Sequence, residues 1–172
     1  MDSSNTSGRN ELDQAKLLLD HCQFEYNDLS DTWRDIERKA QGEIAIVGIF
    51  LIGGLTFLRF FIPENLVAFG LIALSMAILV VSALLAISAL LVDEVETVQP
   101  IGDVREFLKS CSGEDALRAY LDRWEIVNTD LSNKNYRKSA WVLRSQYALM
   151  GGVIGLAIGV LVATACGISV SH

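Results

Sequence analysis

The residues able to do chemistry are few and scattered. Histidine occurs twice, at His21 in a charged stretch and at His172. Neither has a nucleophile or carboxylate at a spacing that would build a catalytic group. Cys22, Cys111 and Cys166 lie far apart, with no Cys-x-x-Cys pair and no zinc-ligand spacing. The glycine pairs at 53–54 and 151–152 fall inside apolar runs, not between a strand and a helix as a phosphate loop requires. No catalytic, cofactor-binding or metal-ligating residue is therefore assigned, and the chain is expected not to be an enzyme.

The elements that hold these residues follow from how charge is distributed. The 172 residues are 51% hydrophobic yet 20% charged. Both hold only because the two kinds are segregated. Residues 44–62 carry a single charge, Arg59, and residues 66–92 and 147–168 carry none. A hydrocarbon core about 30 Å thick is crossed by roughly 20 helical residues rising about 1.5 Å each. A buried helix of a soluble protein would show polar residues at helical spacing, which these runs lack. The expected fold class is thus an all-α integral membrane protein with three transmembrane helices. Residues 1–43 are polar and acidic, without the basic and short apolar regions of a signal peptide, so the first span is expected to drive its own insertion.

Basic residues set the orientation. Five precede the first span and eight lie between the second and third. The short hairpin at 63–65 is flanked by Arg59 alone, and none follows residue 168. By the positive-inside rule, the N-terminus and residues 93–146 are expected in the cytoplasm, with the C-terminus outside. The net charge of −7 and the lack of a basic block argue against nucleic acid as a partner. Inside the spans the Ser and Thr hydroxyls are expected to bond back to their own helices. Arg59 is expected to snorkel at the outer edge, and Arg38 and Lys39 to anchor the inner one.

The polar segments have their own periodicity. Leu12, Ala15, Leu19, Cys22, Tyr26, Leu29, Trp33, Ile36 and Ala40 alternate spacings of three and four. This is a coiled-coil seam that predicts a helix over 10–43, continuous with span one. A second helix is predicted from Ser112 as N-cap, with Asp115 in capping-box spacing. Its apolar face is Leu117, Tyr120, Leu121, Trp124, Val127 and Leu131. That face fades over 133–138, returns at Trp141 and Val142, and the helix runs on into span three. The organisation is then a tail at 1–9, a cytoplasmic helix at 10–43 and a hairpin at 44–92 with spans 44–62 and 66–92. A connector and helix at 93–146, the third span at 147–168 and an outer tail at 169–172 complete it. Pairing of the two cytoplasmic helices within one chain is the expectation; pairing between chains is the alternative.

Gly151, Gly155, Gly159, Ala163 and Gly167 recur every four residues in the third span. Small residues in register permit the close backbone approach that associates helices in lipid. The partner of this face is open between span one of the same chain and span three of a neighbour.

The layout and two short motifs resemble a family. Glu37-Arg38-Lys39-Ala40 ends the helix before span one, and Asn135-Tyr136-Arg137-Lys138 lies on the helix before a glycine-rich last span. The chain resembles the small transmembrane effectors of prokaryotic nucleotide-signalled antiphage defence, of the Pycsar and SLATT types. The resemblance implies a homo-oligomer in the inner membrane that disrupts the bilayer, as a pore or otherwise, when a cytoplasmic signalling nucleotide or protein partner is present. A different expectation is a structural or accessory subunit whose cytoplasmic stalk docks a soluble partner.

Overall fold

The computed structural model describes residues 3–60, 66–91 and 113–170. All regular structure in these residues is α-helical: α1 at Ser3–Phe60, α2 at Leu66–Leu90 and α3 at Gly113–Val170. All three are long and apolar enough to cross a membrane. None of the described helical residues is a proline, so no ladder bond within α1, α2 or α3 is lost to one. Thus α1 and α3 each run unbroken from a charged half into an apolar half. The turn at 63–65, the Ser112 cap, the extension of α2 toward Pro100, a short helix at 103–110 and the end of the tail at 171–172 lie outside the described residues.

The chain divides into two compact units, one of Met1–Arg34 with Asp93–Tyr136 and one of Asp35–Val92 with Arg137–His172. In the first, α1 and α3 run parallel. Asn128 donates to the carbonyl of Cys22 at 3.2 Å and Asn135 to that of Leu29 at 2.8 Å, so both rungs span the same sequence offset, one heptad apart. Leu19, Tyr26, Leu29 and Trp33 on α1 are half-buried, as is Leu117 on α3, while Trp124, Val127 and Leu131 are buried. Tyr26 meets the edge of Trp124 with ring centroids 5.5 Å apart.

In the second unit, α2 packs antiparallel to α3. A Cβ built on Gly152, Gly155 or Gly159 would meet Leu79, Ser75 or Ile72 respectively, so the numbers run in opposite directions. Heptad spacing governs all three helices. The buried positions are Ile36, Ala40, Glu43, Val47 and Gly54 on α1. On α2 they are Ala68, Ile72, Ser75, Leu79, Ser82, Ala86 and Ala89. On α3 they are Lys138, Val142, Ser145, Gly152, Leu156 and Gly159. The core has two apolar clusters, one of Ile36, Ala40, Ala89 and Val142, the other of Val47, Ile72, Leu79 and Leu156. The outer faces are apolar as well, with Ile49, Ile52, Leu74, Leu84, Ile154 and Leu161 exposed. A helix apolar on every side suits a non-aqueous surrounding.

Three expectations change here. The small-residue face of α3 packs on α2, which was neither of the partners considered. It is built on Gly152, Gly155 and Gly159, whereas Gly151 is exposed with nothing within 4 Å of its Cβ position; Ala163 is half-buried, and Gly167 lies within α3. The face of α3 does not fade over 133–138. It turns polar and stays buried, since Asn135 and Lys138 keep the seam spacing between Leu131 and Val142. Finally, Ser82 does not bond back to its own helix. Thr56, Ser75, Ser88 and Thr164 do, each to the carbonyl four residues earlier.

Candidate functional site

Polar groups buried in an otherwise apolar seam mark where the second unit departs from simple packing. Lys138 is fully buried, and its ammonium donates to Glu37 Oε1 at 2.7 Å. Glu37 is about one-third exposed, at 35% of its side chain. Both residues belong to the short motifs that carry the family resemblance, and 101 residues of sequence separate them. Lys39 and Arg38 stay exposed, and Arg38 pairs with Asp35 on its own helix, at 3.3 Å.

One seam position beyond Ala40 on α1, Glu43 is buried, with 6% of its surface accessible. Neither carboxylate oxygen has a hydrogen-bond partner among the described residues. Its spacing explains the burial: three after Ala40 and four before Val47, it sits on the seam itself. On α2 and α3 the corresponding interval between the two apolar clusters holds Ser82 and Ser145, both fully buried. Each serine hydroxyl lies 2.9 Å from the other's main-chain carbonyl, and the two hydroxyl oxygens are 3.2 Å apart. The pair cross-links α2 and α3. By position along their helices, Glu43, Ser82 and Ser145 all fall between the two apolar clusters.

The first unit offers a different surface. An open groove of about 600 Å³ is lined by Cys22, Glu25, Arg118, Asp122, Glu125 and Asn128, among others. Three of these are acids. Asn128 donates at 3.1 Å to Glu25, while its own Oδ1 is buried without a partner among the described residues, as are Asn135 Oδ1 and the Trp124 indole N–H. Burial, then the charges of Glu25 and Glu125, push the Cys22 thiol above its ordinary value of 9.0. His21 is exposed on the same helix. The second unit thus pairs Glu37 with Lys138 and Ser82 with Ser145, and it buries Glu43; the sequence marks none of the five as a site. For Glu43 and Lys138 the signal is positional, since each continues a three-four spacing across a stretch that looks merely polar.

The chain matches no protein-family model, no curated protein and no solved structure.

Proposed function

We propose that the chain is a non-enzymatic, oligomeric protein of the prokaryotic inner membrane that acts on the bilayer itself, as a permeabilising or pore-type effector governed by a cytoplasmic signal. The observation that carries this reading is the polar layer of Glu43, Ser82 and Ser145 with the neighbouring Glu37–Lys138 pair. Stability alone does not account for such groups, since apolar packing at buried ionic positions is often as stable or more so. On this reading Glu37, Glu43 and Lys138 stand at the cytoplasmic mouth of the spans, where buried ionisable groups suit the entrance of an ion path or a switch. Rotation of the helices about the seam would turn these groups from a closed core toward an aqueous path.

The same reading sets the N-terminus and the first unit in the cytoplasm, in keeping with thirteen bases on one side and one on the other. The half-satisfied seam of that unit, with its unpartnered amide oxygens, suits an element that changes state when a nucleotide or protein binds. The family resemblance supports the same picture.

Dye release from liposomes tests the proposal. Purified full-length protein is reconstituted into lipid vesicles loaded with a self-quenched dye, and its mass is measured in detergent. Release together with a mass of several chains supports the effector. Sealed vesicles under a panel of cyclic and linear nucleotides, with a monomeric mass, would remove it. The acidic groove favours one second reading, an accessory subunit docking a basic soluble partner. That reading predicts sealed vesicles and one copy per complex with unlike subunits.

A further inference from the structure

We infer that the layer around Glu43 binds a small monovalent cation of the alkali-metal class. Glu43 supplies two buried carboxylate oxygens with no donor directed at them among the described residues. The nearest polar seam positions on the other two helices are Ser82 and Ser145, and their hydroxyl protons are already spent on each other's carbonyls or on one another. A hydroxyl whose proton is committed keeps its lone pairs. What this layer has to offer a ligand is therefore oxygen lone pairs and negative charge, the donor set that hard cations take.

Charge counting selects the valence. The buried charged residues of this unit are Glu43 and Lys138, and the Lys138 ammonium is bound to Glu37, a carboxylate one-third exposed, so the three groups together carry one negative charge in excess. One further positive charge balances it. The other charged groups nearby do not supply one: Lys39 and Arg144 are exposed, the latter stacked 5.2 Å from the Trp141 ring centroid, and α2 has no charged residue. A divalent ion would ask for more acid. No group of three or more His, Cys, Asp or Glu able to hold a metal exists among the described residues. A lone carboxylate with hydroxyl oxygens suits a singly charged ion. Leaving the carboxylate buried and unbalanced would be costly, so ion binding should be linked to folding of the bundle.

The proposal stands whether or not the chain permeabilises a membrane, because its test reads stability. Thermal unfolding of the purified full chain in detergent is followed by tryptophan fluorescence in lithium, sodium, potassium or N-methylglucamine chloride. Ionic strength is held constant throughout. One alkali ion should raise Tm saturably, by about 5–10 °C at a hundred times its Kd. Glu43→Gln should remove the ion dependence while unfolding at or above the wild-type Tm in N-methylglucamine. Ser82→Ala should weaken the ion's apparent affinity and leave the effect at saturation. Identical wild-type curves in all four salts would overturn the inference. So would an ion effect that survives in Glu43→Gln, or a wild-type Tm that follows pH but not the choice of ion, which would assign the balancing charge to a proton. Should Glu43→Gln fail to fold, the four-salt comparison on the wild type decides alone.

Discussion

The two units use one rule with different materials. In both, α1 and α3 run parallel and meet along positions spaced three and four apart. In the unit of Met1–Arg34 and Asp93–Tyr136, the described residues supply two helices. Two helices cover only one stripe of each other, so Leu19, Tyr26, Leu29 and Trp33 remain half-exposed and Phe24 is 71% exposed. In the other unit, α2 adds a third seam. Val47, Ile72 and Leu79 are then at 1% or less, and glycines replace the aromatic residues. Large side chains with edge contacts fill a seam bounded by water-facing charge. Small residues and close backbones fill one whose outer faces are apolar too, where no hydrophobic drive distinguishes inside from outside. Specific polar contacts appear in both, as Asn rungs in the first and as an ion pair and serine pair in the second. In each they fix which residues oppose which, a task that uniform apolar seams perform poorly.

The largest expected effect tests whether the ion pair is such a device. Glu37→Ala leaves the fully buried Lys138 ammonium without its carboxylate. Truncating one member of a buried pair typically costs about 3–5 kcal/mol, and the one-third exposure of Glu37 puts this case near 3. The double variant Glu37→Ala with Lys138→Met should recover much of that loss, because no buried charge is stranded. Chemical unfolding in detergent gives both numbers. A double variant no more stable than Glu37→Ala would show that the pair contributes attraction beyond neutralisation. A sequence reading that takes Glu37 as part of the charged face expects little from its loss, so this variant separates the two views.

Neighbouring glycines sharpen the contrast between seam and outer face. A Cβ at Gly152 would lie 2.7 Å from Leu79 Cγ and Cδ2 and 3.3 Å from its main-chain nitrogen, so Gly152→Leu must push α2 away. Overpacking of this kind costs about 1–3 kcal/mol. Gly151 has nothing within 4 Å, and Gly151→Leu should leave the monomer's stability unchanged or raise it by up to about 1 kcal/mol through helix propensity. Oligomer mass adds a second readout. If Gly151→Leu lowers the mass while the monomer stays folded, the outward face of α3 joins copies of the chain. Equal losses of stability in the two variants would contradict the packing of α3 on α2.

Why some of this was legible in the sequence and some was not comes down to contrast. Three apolar runs and a heptad seam stand out wherever apolar residues alternate with charge, as at Leu19, Tyr26, Leu29 and Trp33. α1 begins at Ser3, seven residues before the helix expected from residue 10. Inside α2 every residue is apolar or small, so its seam of Ala68, Ile72, Ser75, Leu79, Ser82, Ala86 and Ala89 has no contrast to read. For the same reason α2 was not seen as the partner of the glycine face. Glu43 was lost to a different cause. Drawing the edge of span one at the last charged residue makes that residue a boundary, although the spacing Ile36, Ala40, Glu43, Val47 carries the seam straight through it. Lys138 was read as the end of an apolar face because a charged residue usually is. Only the pairing of positions 101 apart turns it into a core residue. The hydroxyl of Ser82 has the same local alternative as those of Ser75 and Ser88. Nothing in its own helix distinguishes the serine that reaches across.

The smallest expected effect asks how closed the first unit's seam is, and Cys22 reports it. Its side chain is half-buried on the α1 seam, beside the Asn128 rung that binds its carbonyl. Burial is the main cause that raises its thiol above 9.0, and the carboxylates of Glu25 and Glu125 add to it. All three disfavour the thiolate, which is the form that alkylating reagents attack. In a Cys111→Ser, Cys166→Ser background, iodoacetamide at pH 8 should therefore modify Cys22 more slowly in the folded protein than in the denatured chain. Glu125→Gln should speed the folded reaction modestly and leave the denatured rate alone. The linkage has a definite sign. The folded state holds the thiol proton more tightly than the unfolded one, so this group's contribution to stability is fully present below pH 9.0. It is lost as the pH rises through the higher folded value. The rate against pH should accordingly show an inflection displaced upward in the folded protein. If the folded and denatured chains react at equal rates with coincident inflections, Cys22 is not held in a packed seam. The two-helix unit would then be open where the three-helix unit is closed.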